Sequence, residues 1–254
     1  MPRRAAWSGV AAAPRWWVHL FAPVTAARVK SNLPVVAVVL SWSGGKDSAL
    51  ALWALRREEV EPLTLLTTVT DEYARISMHG VRRELLQAQA RATGLPVLEV
   101  EIPPVCSNDV YEQRMAQALA SRAIDGAEEV AFGDLFLEDI RAYREERLAQ
   151  VGKRAVFPVW GRDTGDLART FIDAGFEALL VCVDPRHLDW SFAGRSFDDE
   201  LLRDLPDGVD PCGENGEFHT FVHAGPIFDQ PIPVEVGERT VRDGFAFCDV
   251  LPAQ

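Results

Sequence analysis

The feature that most constrains the fold is an apolar run that ends in a glycine-rich turn and continues into a helical pattern. Residues 34–40 are all apolar and have the length of a strand, which is typical of a strand buried on both faces of a parallel sheet. Similar short runs, separated by helical segments, follow at 63–68, 96–100, 129–132 and 178–183. This alternation predicts an α/β fold with a parallel sheet and right-handed crossovers.

The two ends of the chain differ in composition from its centre. Residues 1–32 contain basic residues and three tryptophans but no acid, and Arg15 and His19 interrupt the apolar run that a secretory signal would need. We therefore expect a poorly ordered N-terminal extension there. After residue 184 a turn-rich stretch at 207–216 and further strand-like runs predict a smaller C-terminal α+β region. The predicted boundaries are 1–32, 33–150 and 151–254.

Charge and cysteine usage exclude several classes of protein. The chain has 38 acidic and 26 basic residues and a formal charge of −12, which argues against binding to a nucleic-acid backbone. No apolar stretch is long enough to span a membrane. The four cysteines form no C-x-x-C pair, so we expect reduced thiols and a cytoplasmic protein.

The turn after the first strand carries the strongest chemical signal. We call Ser43-Gly44-Gly45-Lys46-Asp47-Ser48 the phosphate loop, because successive N–H groups at a helix N-terminus bind anions. It is not a Walker A loop, since Leu40 stands at the first glycine position and Asp47 replaces the Ser or Thr after the lysine. A strand-to-helix turn without a ligand is the alternative interpretation.

Three other segments bear polar residues near predicted strand ends. Gly133 and Asp134 follow the fourth strand, where the carboxylate could hold Mg²⁺ or a substrate amine, or cap a helix. Thr68 ends the second strand, and His79 precedes the second helix, on the far side of the predicted crevice or in a purely structural role. Arg141, Arg144 and Arg147 could form a cluster that receives an anion, but glutamates are interspersed among them, which favours a solvated ion-pair face.

The turn Gly213-Glu214-Asn215-Gly216-Glu217-Phe218-His219-Thr220 is the second sharp signal. Glu217 and His219 are two residues apart, so they would share one face of the following strand. Acids and a histidine in a constrained turn are typical of a substrate or ammonia site. An exposed hairpin turn is the alternative.

The phosphate loop resembles that of the N-type ATP pyrophosphatases (PP-loop proteins). Together with the Met-His-Gly segment, the Gly-Asp-Leu-Phe-Leu-Glu-Asp-Ile-Arg segment and the Gly213–Thr220 turn, it makes residues 35–250 resemble the diphthine–ammonia ligase family. The chain looks like a divergent branch, because its turn reads Glu-Asn-Gly-Glu where that family has Glu-Gly-Gly-Glu.

The resemblance implies a Rossmann-like (adenine nucleotide alpha hydrolase-like) sheet of five parallel strands in the order 3-2-1-4-5. It implies that 33–150 is an ATP-binding domain and 151–254 a substrate domain. It also implies an enzyme that adenylates a carboxylate with ATP and Mg²⁺ and then lets ammonia or an amine displace AMP. The carboxylate acceptor could be carried by a protein, and a homodimer is a possible assembly.

The resemblance also implies roles for individual residues. Lys46 would neutralise pyrophosphate in the phosphate loop, Asp47 would help order the loop or hold Mg²⁺, and Asp134 would hold Mg²⁺. The expected nucleotide contacts outside the loop are Thr68, His79 and Gly133, and the expected acceptor-side residues are Glu214, Glu217 and His219. Two other hypotheses are a sulfur-transferring tRNA modification enzyme, which would use Cys106, Cys182 or Cys212, and a nucleotide-binding sensor without catalysis.

Overall fold

Two β-sheets organise the part of the chain that the computed structural model describes, residues 37–77 and 79–253. The predicted extension over 1–32 lies outside these residues. The strands are β1 (Ala37–Ser41), β2 (Thr64–Thr70), β3 (Arg75–Ile76), β4 (Val97–Ile102), β5 (Ala127–Ala131), β6 (Arg154–Val156), β7 (Glu177–Val183), β8 (Phe218–Ala224), β9 (Val234–Arg242) and β10 (Phe245–Pro252).

The first sheet has five parallel strands in the order β4-β2-β1-β5-β6. The predicted α/β class and the strand order 3-2-1-4-5 are therefore confirmed. β1 is central, and Val38, Val39 and Leu40 are almost fully buried, as the apolar run predicted. In addition, β3 pairs antiparallel with Val69 and Thr70 at the carboxyl end of β2.

One strand assignment within that order is wrong. The fifth parallel strand is β6, whereas the predicted fifth strand at 178–183 is β7 and belongs to the second sheet. β6 has only three residues, with an exposed Arg154, so no apolar run marks it. β7 is buried along six consecutive residues between two neighbouring strands, and therefore has the sequence pattern of an interior parallel strand.

Helices connect the strands of the first sheet and continue into the second region. They are α1 (Lys46–Arg57), α2 (Arg83–Thr93), α3 (Asn108–Leu119), α4 (Glu138–Gln150), α5 (Thr164–Asp173) and α6 (Asp199–Asp204). α2 ends at Gly94, whose φ of +73° is the left-handed conformation that terminates many helices. Ser107 caps α3 by accepting a hydrogen bond from Val110 N.

The second sheet is antiparallel, in the order β8-β7-β10-β9. Its strands include the predicted runs after residue 184, so the smaller α+β region is present. Among the described residues, no helix is long and apolar enough to cross a membrane. The first sheet continues to Val156, and the domain division at residue 150 stays a prediction.

Candidate active site

A cavity of about 340 Å³ lies beyond the carboxyl ends of β1, β2 and β5. β1 and β5 flank the point where the strand order reverses, which is where open α/β sheets bind ligands. The predicted site residues that line the cavity are Ser43, Lys46, Asp47, Ser48, Thr68, His79, Gly133, Asp134, Glu214 and His219. Gly44, Gly45 and Glu217 do not belong to its lining.

The phosphate loop presents hydroxyl groups and the first turn of α1 to this cavity. Ser43 Oγ lies 3.3 Å from Ser48 Oγ and accepts a hydrogen bond of 3.3 Å from Gly45 N. Gly45, the residue before the helix, provides no side-chain cap, and Ser48 Oγ donates to its carbonyl oxygen. Lys46, Asp47 and Ser48 line the cavity, so the partial positive charge of the helix N-terminus faces it, as an anion site requires.

Lys46 is a buried cation within this anion site. Its side chain is 3% exposed, and Nζ lies 2.8 Å from both carboxylate oxygens of Asp47, whose side chain is 30% exposed. Burial lowers the pKa of Lys46, but Asp47, together with Cys212 and Glu214, outweighs burial and raises this pKa above its usual value. Burial also raises the pKa of Asp47, against the opposing effect of Lys46.

Gly133 lets β5 approach the beginning of α1. A Cβ atom on this glycine would lie 2.6 Å from the carbonyl carbon of Asp47 and 2.9 Å from Ser48 N, closer than side chains tolerate. The fold thus requires glycine here for close packing of two backbone segments, one of which carries the phosphate loop.

Asp134 faces the cavity and pairs with Arg144 of α4. Asp134 Oδ2 lies 2.7 Å from Arg144 Nε, and Asp134 Oδ1 accepts a 3.1 Å hydrogen bond from Nη2. The guanidinium also lies 4.2 Å from the ring centroid of Phe132. Arg144 therefore belongs to the cavity, whereas the predicted ion-pair face holds for Arg141 and Arg147, which pair with glutamates.

The Gly213–Thr220 turn brings Glu214 to the cavity from the second region. Glu214 Oε1 accepts a 2.7 Å hydrogen bond from Leu135 N, beside the end of β5. Burial raises the pKa of Glu214 to about 7, with Asp47 and Asp134 adding to the rise. This carboxyl group can gain or lose a proton near neutral pH.

Glu217 lies inside the turn and not in the cavity. It is 2% exposed, and its Oε1 accepts hydrogen bonds from Asp210 N and Asn215 Nδ2. Burial raises the pKa of Glu217, but these hydrogen bonds outweigh burial and lower it below the usual value. The predicted shared face with His219 does not bring both side chains into the cavity, because β8 begins only at Phe218.

His79 and His219 form a pair beside the phosphate loop. Their ring centroids are 4.6 Å apart. Burial lowers the pKa of His219 to about 4 and that of His79 well below its usual range, so both rings are neutral at pH 7. The expectation that His79 lies across the crevice is wrong: its Nε2 is 3.1 Å from the position of a Cβ on Gly45, because β3 folds the chain back from β2.

β8 is hydrogen-bonded directly to the phosphate loop. Lys46 N donates to Thr220 Oγ1 at 3.0 Å, and Val222 N donates to Gly44 O at 2.9 Å. Gln89 of α2 donates from Nε2 to Gly44 O of the loop and to Val222 O of β8. Thr220 and Gln89 were not predicted as site residues from the sequence. Gln89 could have been found, because it is a polar residue on the same helix face as the apolar Leu85, Leu86 and Ala90.

Two family models match this chain, and together they extend over most of it. The family model of the diphthamide synthase N-terminal domain matches residues 36–155, and that of the diphthamide synthase C-terminal domain matches residues 163–253. Both halves of one family are thus present in order. This chain belongs to the diphthamide synthase (diphthine–ammonia ligase) family.

Individual relatives in this family are distant but extend over most of the chain. The diphthine–ammonia ligase of Danio rerio is 24% identical over 235 residues, which cover 82% of this chain and 90% of the relative. That of Rattus norvegicus is 24% identical over 232 residues, covering 82% and 86%. That of Homo sapiens is 26% identical over 151 residues, covering 57% and 56%.

The cysteines do not support the sulfur-transfer hypothesis. Burial raises the pKa of Cys182 and of Cys212 to about 12 each, so neither is a thiolate at neutral pH. Cys212 Sγ donates to Thr164 O, and Cys106 lies outside the cavity lining. Membership in a ligase family also disfavours the sensor hypothesis.

The cavity fits a magnesium ion carried by phosphates better than a metal held by protein alone. The described part of the chain contains no group of three or more His, Cys, Asp or Glu side chains that could hold a metal. Asp47 and Asp134 both face the cavity, and Mg²⁺ bound to nucleotide phosphates needs only one or two carboxylates.

Proposed function

We propose that this protein is an ATP-dependent, AMP-forming ligase that activates a carboxylate and amidates it with ammonia. One observation carries the proposal: the phosphate loop and the acidic Gly213–Thr220 turn line one cavity at the switch point of the sheet. The relatives are named diphthine–ammonia ligases, so diphthine carried by a protein is the first acceptor to test.

The phosphate loop would bind the pyrophosphate half of ATP. Lys46 Nζ and the N–H groups of Asp47 and Ser48 would stabilise the charge that develops on pyrophosphate when a carboxylate oxygen attacks the α-phosphorus. Asp47 and Asp134 would hold Mg²⁺, which neutralises phosphate charge when bound. Thr68 and His79 line the cavity and would contact nucleotide, and Gly133 would keep the end of β5 close to the loop.

Amide formation would follow when ammonia attacks the acyl carbon and AMP leaves. Glu214 is the best-placed general base, because its carboxyl group lies in the cavity and its pKa of about 7 suits proton transfer near neutral pH. His219 is neutral and can hydrogen-bond the nucleophile without adding charge. Glu217 would hold the turn in place, which differs from the acid–base role expected from the sequence.

The direct test is product analysis with purified protein, ATP, Mg²⁺, ammonium chloride and a diphthine-bearing protein or small carboxylates. Pyrophosphate should form only when a carboxylate acceptor is present, and AMP should accumulate over repeated turnovers only when ammonium is present as well. Lys46→Met should abolish both products. Formation of ADP, or AMP formation that Lys46→Met does not change, would refute the proposal.

We also propose a cytoplasmic location, which the four free cysteines support. A homodimer stays a prediction. Size-exclusion chromatography with light scattering measures the oligomeric state directly.

A further inference from the structure

A fully buried glutamine connects three parts of the site without touching the cavity. Gln89 of α2 is 0% exposed. Its Oε1 accepts a 2.9 Å hydrogen bond from Trp42 Nε1, and its Nε2 donates to Gly44 O at 3.0 Å and to Val222 O at 2.7 Å. All hydrogen-bonding groups of this amide are directed at the phosphate loop and its neighbours.

The hydrogen bond to Gly44 O also determines where the next N–H group of the phosphate loop points, because both groups belong to one peptide. The carbonyl of Gly44 and the N–H of Gly45 belong to one planar trans peptide and point in opposite directions. Gly44 O is held by both Gln89 Nε2 and Val222 N. The N–H of Gly45 is thereby directed to Ser43 Oγ, a group at the edge of the cavity.

The glycines make this peptide easy to rotate. Gly44 has φ of +78°, and glycine reaches several backbone conformations at little cost. A rotated peptide would turn the Gly44 carbonyl oxygen toward Ser43 Oγ at the edge of the cavity, where it would repel phosphate oxygens. A donor that holds this oxygen away from the cavity therefore favours anion binding.

We infer that Gln89 is a positioning residue that locks the Gly44–Gly45 peptide in the orientation that binds pyrophosphate. The inference rests on the proposed function of the loop. Trp42 orients the amide, because its N–H can bond only to the oxygen and so leaves the nitrogen for the two carbonyls. Glutamate at this position would place a carboxylate against the carbonyls of Gly44 and Val222.

Gln89→Met tests the inference, since it keeps the length of the side chain and removes the amide. Gln87→Met is the matched control, because Gln87 lies on the same helix and bonds to Glu99 instead of the loop. Isothermal titration of the full chain with pyrophosphate and with AMP separates the two halves of the ATP site. We expect the Kd for pyrophosphate to rise about tenfold in Gln89→Met, the effect of one hydrogen bond. We expect the Kd for AMP to stay within twofold, and both values to be unchanged in Gln87→Met.

Two results overturn the inference. Equal pyrophosphate affinity in Gln89→Met and wild type would show that the amide does not determine the orientation of the Gly44–Gly45 peptide. Equal losses of affinity for pyrophosphate and for AMP would show that Gln89 has a merely structural role. If Gln89→Met does not fold, Trp42→Phe removes the indole N–H that orients the amide and should give a smaller loss confined to pyrophosphate. A wild-type protein that binds neither pyrophosphate nor ATP would instead refute the proposed function itself, and this inference with it.

Discussion

Substitution of Gly133 by alanine should displace the phosphate loop and so weaken ATP binding by more than a general loss of stability would. The added Cβ would lie 2.6 Å from the carbonyl carbon of Asp47, whereas carbon atoms prefer about 3.5–4.0 Å. The shortfall is therefore about 1 Å. The atoms that the methyl group would meet belong to the backbone, so no side-chain rotation can relieve the overlap. The end of β5 or the first turn of α1 therefore has to move.

The size of the effect follows from this displacement. Overpacking of this kind costs about 1–3 kcal/mol of folding free energy. A shift of about 1 Å in a group that positions substrate can cost about 100-fold in rate. Because the displaced turn carries Lys46 and Asp47, we expect Gly133→Ala to weaken ATP binding at least tenfold and to reduce AMP formation further.

Gly126→Ala is the matched control at the other end of the same strand. Nothing lies within 4 Å of a Cβ at Gly126, but its φ of +84° makes alanine unfavourable by roughly 1 kcal/mol. Urea unfolding should show a loss of stability in both variants, whereas titration with ATP should show a loss of affinity in Gly133→Ala alone. Wild-type ATP affinity in folded Gly133→Ala would refute the argument that close packing of Gly133 against α1 determines the position of the phosphate loop.

Three further predictions concern single side chains. Lys46→Met should abolish pyrophosphate release and lower the free energy of unfolding by about 1 kcal/mol in urea melts, because Asp47 loses its partner; a variant that still releases pyrophosphate contradicts this. Glu214→Gln should lower kcat/KM for ammonia, and the ratio of wild-type to variant kcat/KM should grow as pH rises through about 7, where Glu214 loses its proton. A ratio that is constant from pH 6 to 8 excludes Glu214 as the base. Cys212→Ala should leave ATP turnover unchanged, because the thiol with a pKa of about 12 is protonated; loss of turnover in a folded variant would revive the sulfur-transfer hypothesis.

Local sequence signals were enough to predict the central sheet and its phosphate loop. The apolar run ending at Leu40 formed the buried strand β1, and the Ser43–Ser48 turn led into α1, because a strand, a turn and a helix in succession depend on neighbouring residues. The same reasoning failed for β6, which is too short and too exposed to leave an apolar pattern, and for β7, whose burial on both faces is also found in parallel strands.

The sequence by itself determined which segments bear the chemistry, since the phosphate loop, Asp134 and the Gly213–Thr220 turn were recognisable from residue types and spacing. Only the tertiary structure decided which side chains of those segments meet. It placed Glu214 in the cavity and Glu217 inside the turn, paired Asp134 with Arg144, and bonded Gln89 and Thr220 to the loop. Gln89 and Val222 are 133 positions apart, and Lys46 and Thr220 are 174 apart. Contacts over such separations arise from the packing of whole sheets and helices, whereas periodicity reports only which face of its own element a residue occupies.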